Sequence, residues 1–348
     1  MTGIELARNN RLNSINGIAN VLPMPFPKLS KLIAGFKRGL NVCISANSGV
    51  GKTTLSKFLL ISFVDWAIKN NIDLHIRMYL LEESIETFES TIMINKLYRM
   101  KQERISLDTF SSNVKPLSDK HLNLLEDIEE NYMTKFRKYV TTIDWMTRPT
   151  EIFMDAKEFI LTQGTVIKDT NNKTGKEYEK EFIPNNPNAF HVIFLDNVSE
   201  FDSEEGLDLG GCMKRWSNYA LKDLTKRYNY TIFNVHQQMA SNEGTEATKY
   251  NKQKPSLQGL GDNKLVGRAY RLCIGLFSPY RQEIPKWGKY VIADENDGYQ
   301  DYFRNLNVFK NNFGASNIDD GLYFDGMTLH MEEAESATLK NKPKESLN

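Results

Sequence analysis

The sequence predicts an α/β protein with a mainly parallel central sheet, flanking helices, extra C-terminal strands and an insertion of helices and a hairpin. Three observations carry this expectation. Apolar, β-branched runs alternate with helical periodicity twice before residue 103, further apolar runs recur at 189–198 and 230–238, and the charged stretch at about 103–188 breaks the alternation. The 348 residues have room for two domains or for one enlarged by an insertion. With 40% hydrophobic and 25% charged residues, the composition excludes disordered and collagen-like chains. Basic and acidic side chains balance at 44 each, which disfavours a monomer that coats nucleic acid over a broad basic face and leaves a local patch or an assembled channel. Cys43, Cys212 and Cys273 are far apart and form no C-x-x-C pair, so neither a disulfide scaffold nor a structural zinc site is expected. The N-terminus lacks the apolar core of a secretory signal, and no run approaches the roughly 18 apolar residues of a membrane span. The expectation is a cytoplasmic protein without a membrane role.

Residues 1–22 are polar with little periodicity and read as an N-terminal arm or linker, followed by the proline-spaced entry 22–39. The run LNVCISA (40–46) has the apolar density of a buried parallel strand, and 53–71 has helical periodicity. A second strand is expected over 73–81 and a second helix over 84–102, with Ser84 as N-cap and Glu86 near a capping-box position. The middle is mostly helical, for instance over 118–140, and 164–183 resembles a long hairpin with Asn-Asn and Thr-Gly at its tip. Strands are expected at 189–198 and 230–238 around a helix at 212–229, and the runs 270–280, 289–294 and 306–311 are expected to close the sheet. One core domain over 23–333 with a polar, disordered tail after it is the resulting organisation.

Between the first strand and its helix lies ANSGVGKTT (46–54), which matches the relaxed phosphate-loop pattern [AG]-x-x-x-x-G-K-[ST] with Ala46 in place of the usual first glycine. Gly49 and Gly51 let the backbone turn so that the N–H groups of Asn47, Ser48, Gly49, Val50 and Gly51 can cradle phosphate oxygens, and the helix adds its positive dipole end. Lys52 is expected to reach the β- and γ-phosphates of ATP, the Thr53 hydroxyl to coordinate Mg²⁺, and Thr54 to cap the first turn. The plain alternative is a glycine turn with a lysine at a helix start, and the strand before and helix after the loop disfavour it. The strand HVIFLD delivers Asp196 to its C-terminal end, where it can hold Mg²⁺ through water. Either Glu82 or Glu83 can stand at the same edge as the base that polarises the attacking water. His236 and Gln237 end the strand YTIFNV, where an amide can sense the γ-phosphate.

In order along the chain, these segments resemble the RecA-like ATPase domain of hexameric DnaB-type replicative helicases. MYLLEES (78–84) is similar to the strand carrying the family's catalytic glutamate, VIFLDNV (192–198) to its Walker B strand, and FNVHQQ (233–238) to its sensor-glutamine strand. The resemblance therefore implies Glu82 as catalytic glutamate and Gln237 as sensor. KPSLQGLGDNKLVGRAYRLCIGLF (254–277) is similar to the segment after the second DNA-binding loop, and VFKNNFG (308–314) looks like the stretch with the family's trans-acting finger. Lys310 matches its lysine, but Asn312 stands at the arginine position, so either Arg304 or Arg281 substitutes or hydrolysis is slow. The family's globular N-terminal domain has no counterpart in the roughly 20 residues before the core.

The resemblance implies an ATP-driven, ring-forming homohexamer that moves on single-stranded DNA in replication, with primase, a loader or other replication proteins as partners, in a bacterial or phage-infected cell. Lys214 and Arg215 in the first loop, and Lys249, Lys252 and Lys254 with Tyr250 in the second, are the candidate nucleic-acid contacts. Two other readings stay open: a RecA-like recombination or regulatory ATPase without unwinding, and a nucleotide-gated assembly module with little turnover.

Overall fold

The computed structural model describes residues 2–113, 115–239, 254–260 and 264–339. Helix α1 (Gly3–Ile15) precedes the short strand β1 (Val21–Pro23), helix α2 (Pro27–Ser30) and strand β2 (Gly35–Lys37). Two strand–helix units follow: β3 (Asn41–Ala46) with α3 (Lys52–Asn70), and β4 (Leu74–Leu80) with α4 (Ile85–Lys101). The next stretch holds α5 (Leu107–Phe110), α6 (Asp119–Ile128), α7 (Thr134–Tyr139), β5 (Val140–Ile143), α8 (Pro149–Thr162) and the hairpin β6 (Gly164–Thr170) and β7 (Glu177–Pro184). Then come β8 (Phe190–Asp196), α9 (Leu209–Asn218), β9 (Thr231–Gln237), α10 (Lys264–Ala269) and β10 (Leu272–Phe277). The chain ends with β11 (Lys286–Trp287), β12 (Tyr290–Val291), β13 (Phe303–Asn311), β14 (Ile318–Asp325) and β15 (His330–Glu333).

The central sheet has the order β15-β14-β13-β10-β3-β9-β8-β4-β5. From β10 to β5 every pairing is parallel, and β13, β14 and β15 add an antiparallel wing. β3 and β8 are buried at every residue, because helices cover both faces of a parallel sheet and leave no polar side to show. On one face Phe63 of α3 packs over Phe194 and Phe233, whose rings stack at 4.6 Å between centroids. On the other face α8 and α9 bring Ile160 and Trp216 against Ile193, Leu195 and Tyr230. Among the described residues no helix is long and apolar enough to cross a membrane.

Several local expectations are met and others shift. Ser84 caps α4 by accepting from Thr87 N, but Glu86 stands one position short of a capping box, and its carboxyl is held below the usual range by the Ser84 hydroxyl. Residues 2–15 are helical, with Thr2 and Glu5 completing a capping box, and none of the helix is buried, so the arm is a projecting helix. The expected helix over 118–140 is broken by a π-turn at Glu129–Met133 and gives way to the edge strand β5. Residues 289–294 do not join the central sheet. Gly288, at φ 55°, turns the chain into the small β11–β12 hairpin, and Tyr290 packs on Tyr299 and Phe303 instead. β14 and β15 were not expected, because their polar and glycine content hides them.

One polar group crosses the apolar interior. Asn234 of β9 is fully buried; its amide donates to Asn41 Oδ1 at 2.8 Å and Val42 O at 2.9 Å, and its carbonyl accepts from Trp216 Nε1 at 2.6 Å. Asn234→Leu keeps the volume but leaves the indole N–H and the Asn41 carbonyl unpaired, so a loss of about 2–4 kcal/mol is expected from urea denaturation midpoints. A change below about 0.5 kcal/mol would show that this network is dispensable.

Candidate functional site

The turn after β3 is built on two glycines. Gly49 and Gly51 have φ of 69° and 109°, in the left-handed region that side chains disfavour. A Cβ on Gly51 would also sit 2.6 Å from the Phe324 ring. Lys52 opens α3 directly after Gly51, so the free N–H groups of the first helical turn face the same cleft as the loop amides. This cleft, about 700 Å³, is bordered by Ser48, Gly49, Gly51, Lys52, Thr53 and Thr54, and also by Glu82, Tyr280, Tyr302 and Phe324. Of the remaining expected loop residues, Ala46 is buried as the last residue of β3, and Asn47 and Val50 lie beneath the loop.

Because β4, β8 and β9 run parallel to β3, their C-terminal ends arrive at the same edge. Asp196 ends β8 opposite Leu80 of β4, and its Oδ1 accepts from Thr53 Oγ1 at 3.3 Å. Its Oδ2 is buried without a hydrogen-bond partner, and burial, reinforced by the Glu82 and Glu83 charges, pushes its pKa up to about 7. An orphaned, charge-starved carboxylate beside a hydroxyl at a phosphate loop fits a divalent cation: Thr53 and Asp196 are the residues that would hold Mg²⁺. The structure separates the two glutamates. Glu82 faces the cleft and accepts from Asn197 Nδ2 at 2.7 Å, whereas Glu83 is bound at 2.8 Å by Lys57, a buried lysine of α3 that also donates to Thr91 Oγ1. Sequence reasoning missed both Asn197 and Lys57. The signals were there, an amide directly after Asp196 and a lone cation inside the apolar stretch of α3.

β9 lies between β3 and β8, so Gln237, paired in register with Ala46, emerges between the phosphate loop and Asp196. Its neighbours have structural roles. Gln238 donates to Ser45 Oγ at 2.8 Å, and His236 is buried, with Nδ1 donating to Gln237 O and burial lowering its pKa to about 4, so it is neutral.

The finger segment stands elsewhere. Lys310 pairs in register with Cys273, which lies beside Cys43 within β3 and so away from the strand end that carries the phosphate loop, and its Nζ donates to Gly267 O at 2.9 Å. Asn312 is exposed, and its N–H donates to Arg271 O. Arg304 cannot replace the missing arginine for a neighbour: it is 1% exposed, and its guanidinium donates to Val50 O, Asp301 O and Phe303 O of its own chain. Arg281 likewise lies on its own phosphate loop. Of the candidate nucleic-acid contacts, Lys214 is exposed, Arg215 is bound to Glu204, and Lys254 is bound to Asp319 at 2.8 Å. Lys249, Tyr250 and Lys252 lie outside the described residues.

The fold is shared with solved structures. The chain is similar to a structure described as an ATPase domain, with a TM-score of 0.69 at 12% identity over 96% of this chain and 100% of that one. It is similar to a DnaB-like replicative helicase, solved in a study of its interactions with primase, with a TM-score of 0.69 at 12% identity over 96% of this chain and 68% of that one. No protein-family model and no curated protein matches the sequence. The shared architecture is the RecA-like ATPase-domain fold.

The raised pKa of Asp196 has a sign. The folded carboxyl holds its proton to higher pH than the unfolded one, so its contribution to stability is full below about pH 4 and is lost as pH rises through about 7. Asp196→Asn is therefore expected to raise the melting temperature of the nucleotide-free protein more at pH 8 than at pH 5. Stabilisation by added Mg²⁺ with nucleotide should grow from pH 6 to pH 8 in the native protein and be absent in the variant. An equal effect of the substitution at both pH values would contradict the assignment.

Proposed function

We propose that the chain binds ATP with Mg²⁺ and hydrolyses it, and that it is a motor of the DnaB helicase type, working on single-stranded DNA as a ring. The observation that carries this reading is the meeting of Lys52, Thr53, Asp196 and Glu82 at one edge of the sheet, with Thr53 bonded to Asp196 and Glu82 steered by Asn197. The loop amides and the α3 N-terminus hold the phosphates, and Lys52 neutralises their charge. Thr53 and Asp196 would hold Mg²⁺, which would supply positive charge beside the phosphates. Glu82 accepts the proton of the attacking water, with its carboxylate aimed by the Asn197 amide. Gln237, at the edge between the loop and Asp196, senses the terminal phosphate in this reading.

Exposed Lys214, which stands on helix α9 and not on the loop before it, supports a nucleic-acid path along that helix, and likeness to helicase ATPase domains favours a homohexamer with replication partners such as primase or a loader. The charge balance supports a ring over a monomer, since six copies concentrate a few loop cations in one channel. One observation favours the second reading, a RecA-like ATPase that does not unwind. Asn312 supplies no guanidinium, and Arg304 is walled into its own subunit.

Glu82→Gln is expected to lower ATP turnover about 100-fold or more with ATP binding kept within a few fold, whereas Glu83→Gln acts through stability. Lys52→Ala should weaken ATP binding about tenfold or more. Steady-state ATPase assays with and without single-stranded DNA, paired with displacement of a forked duplex, separate the readings. Stimulation with displacement supports the helicase, and stimulation alone supports the non-unwinding ATPase. Absence of any turnover in the native protein would defeat both.

A further inference from the structure

We propose that Arg281 is a cis-acting phosphate ligand, aimed at the β-phosphate of a nucleoside di- or triphosphate; this rests on the nucleotide-binding reading above. β10 runs parallel to β3 and pairs Leu276 with Ala46, so the chain leaving β10 passes beside the phosphate loop. The turn Tyr280–Gln282 sets Arg281 directly on it. A Cβ on Gly49 would lie 2.5 Å from Arg281 Nη1, so the bare face of Gly49 is the seat of the guanidinium.

That guanidinium is short of acceptors. Its Nε faces Asp301 Oδ1 at 3.7 Å, beyond hydrogen-bond reach, and the same oxygen is already held by Arg304 Nη1 at 3.0 Å. Both Arg281 and Asp301 are well exposed, so the pair holds weakly. Among the described residues neither Nη1 nor Nη2 donates a hydrogen bond, although an arginine carries five donors. Arg304 is the contrast, with three backbone carbonyls and the Phe324 ring at 4.1 Å, and it is scaffold.

Arg281 borders two spaces. One is the cleft above the loop; the other is a cavity of about 290 Å³ beneath it, where Asn47 Oδ1 and Ser278 Oγ are buried without partners. A donor-rich group thus stands between unpartnered polar atoms on one side and an anion cleft on the other. The level of the contact follows from the loop, since amides around Gly49 wrap the β-phosphate of a bound nucleotide. Arg281 then approaches that phosphate from the side opposite Lys52, and a nucleoside monophosphate has nothing for it to bind. It holds ligand and does not itself move a proton.

Calorimetric titration of the full chain with ADP, a non-hydrolysable ATP analogue and AMP tests this, using the native protein, Arg281→Ala and Arg281→Lys. Arg281→Ala should weaken ADP and the ATP analogue by about tenfold or more and Arg281→Lys by less, with AMP affinity unchanged. The melting temperature of the nucleotide-free variants should stay within about 2 °C of the native value, which a merely structural arginine would not allow. ADP affinity unchanged in Arg281→Ala overturns the role of Arg281 alone, with nucleotide binding by the native protein intact. A native protein that binds none of the three overturns the nucleotide reading and this role together.

Discussion

The parallel half of the sheet is covered on both faces, and the rest of the molecule follows from that constraint. A strand sealed by helices cannot carry polar side chains along its length without leaving them unpaired at a cost of a few kcal/mol each. β3, β8 and β9 are therefore largely apolar, and they end in polar groups where the chain leaves the sheet: the phosphate loop after Ala46, Asp196 with Asn197, and Gln237. Since the strands are parallel, those exits share one edge, and β4 adds Glu82 to it. Polar side chains inside the strands find partners in the core, as Ser45 does on His236 O and Asn234 on Asn41 and Trp216.

The antiparallel wing does a different job. β13 sends Arg304 under the phosphate loop to take the Val50 carbonyl, and β14 places Phe324 both against that guanidinium and against the bare face of Gly51. A loop held from below in this way has less freedom to lose when it closes around an anion, so less of the binding free energy goes into ordering it. Bracing by neighbours also separates the two glutamates. Lys57 ties Glu83 into the seam between α3 and α4 and leaves Glu82 to the cleft, where Asn197 fixes its direction. Two adjacent carboxylates thus differ through their partners and not through their chemistry.

Much of this was legible in the residues. A buried strand and a glycine turn before Lys52 sufficed to locate the phosphate loop, because left-handed glycines and a helix N-terminus have few other uses in that order. Asp196 was legible for the same reason, as an acid after an unbroken apolar run. The choice between Glu82 and Glu83 rested on resemblance, since only the position of Lys57 across the helix seam distinguishes them. Arg304 stood as one possible substitute for the finger arginine because sequence shows its charge but not the three carbonyls that surround it. β14 and β15 escaped notice because Asp319, Asp320 and Gly321 in the first and the two glutamates ending the second make them read as a polar loop. The projecting helix α1 escaped because none of its residues is buried, and burial is what produces periodicity.

The placement of Lys310 follows from the same strand. β13 carries Arg304 at its start, under its own phosphate loop, and Lys310 six residues later, which at the rise of an extended strand is about 20 Å along the sheet. In its present position its Nζ donates to the carbonyl of Gly267. One strand, bonded along its length to β10 and β14, thus braces the phosphate loop with its first residues and the segment before β10 with its last.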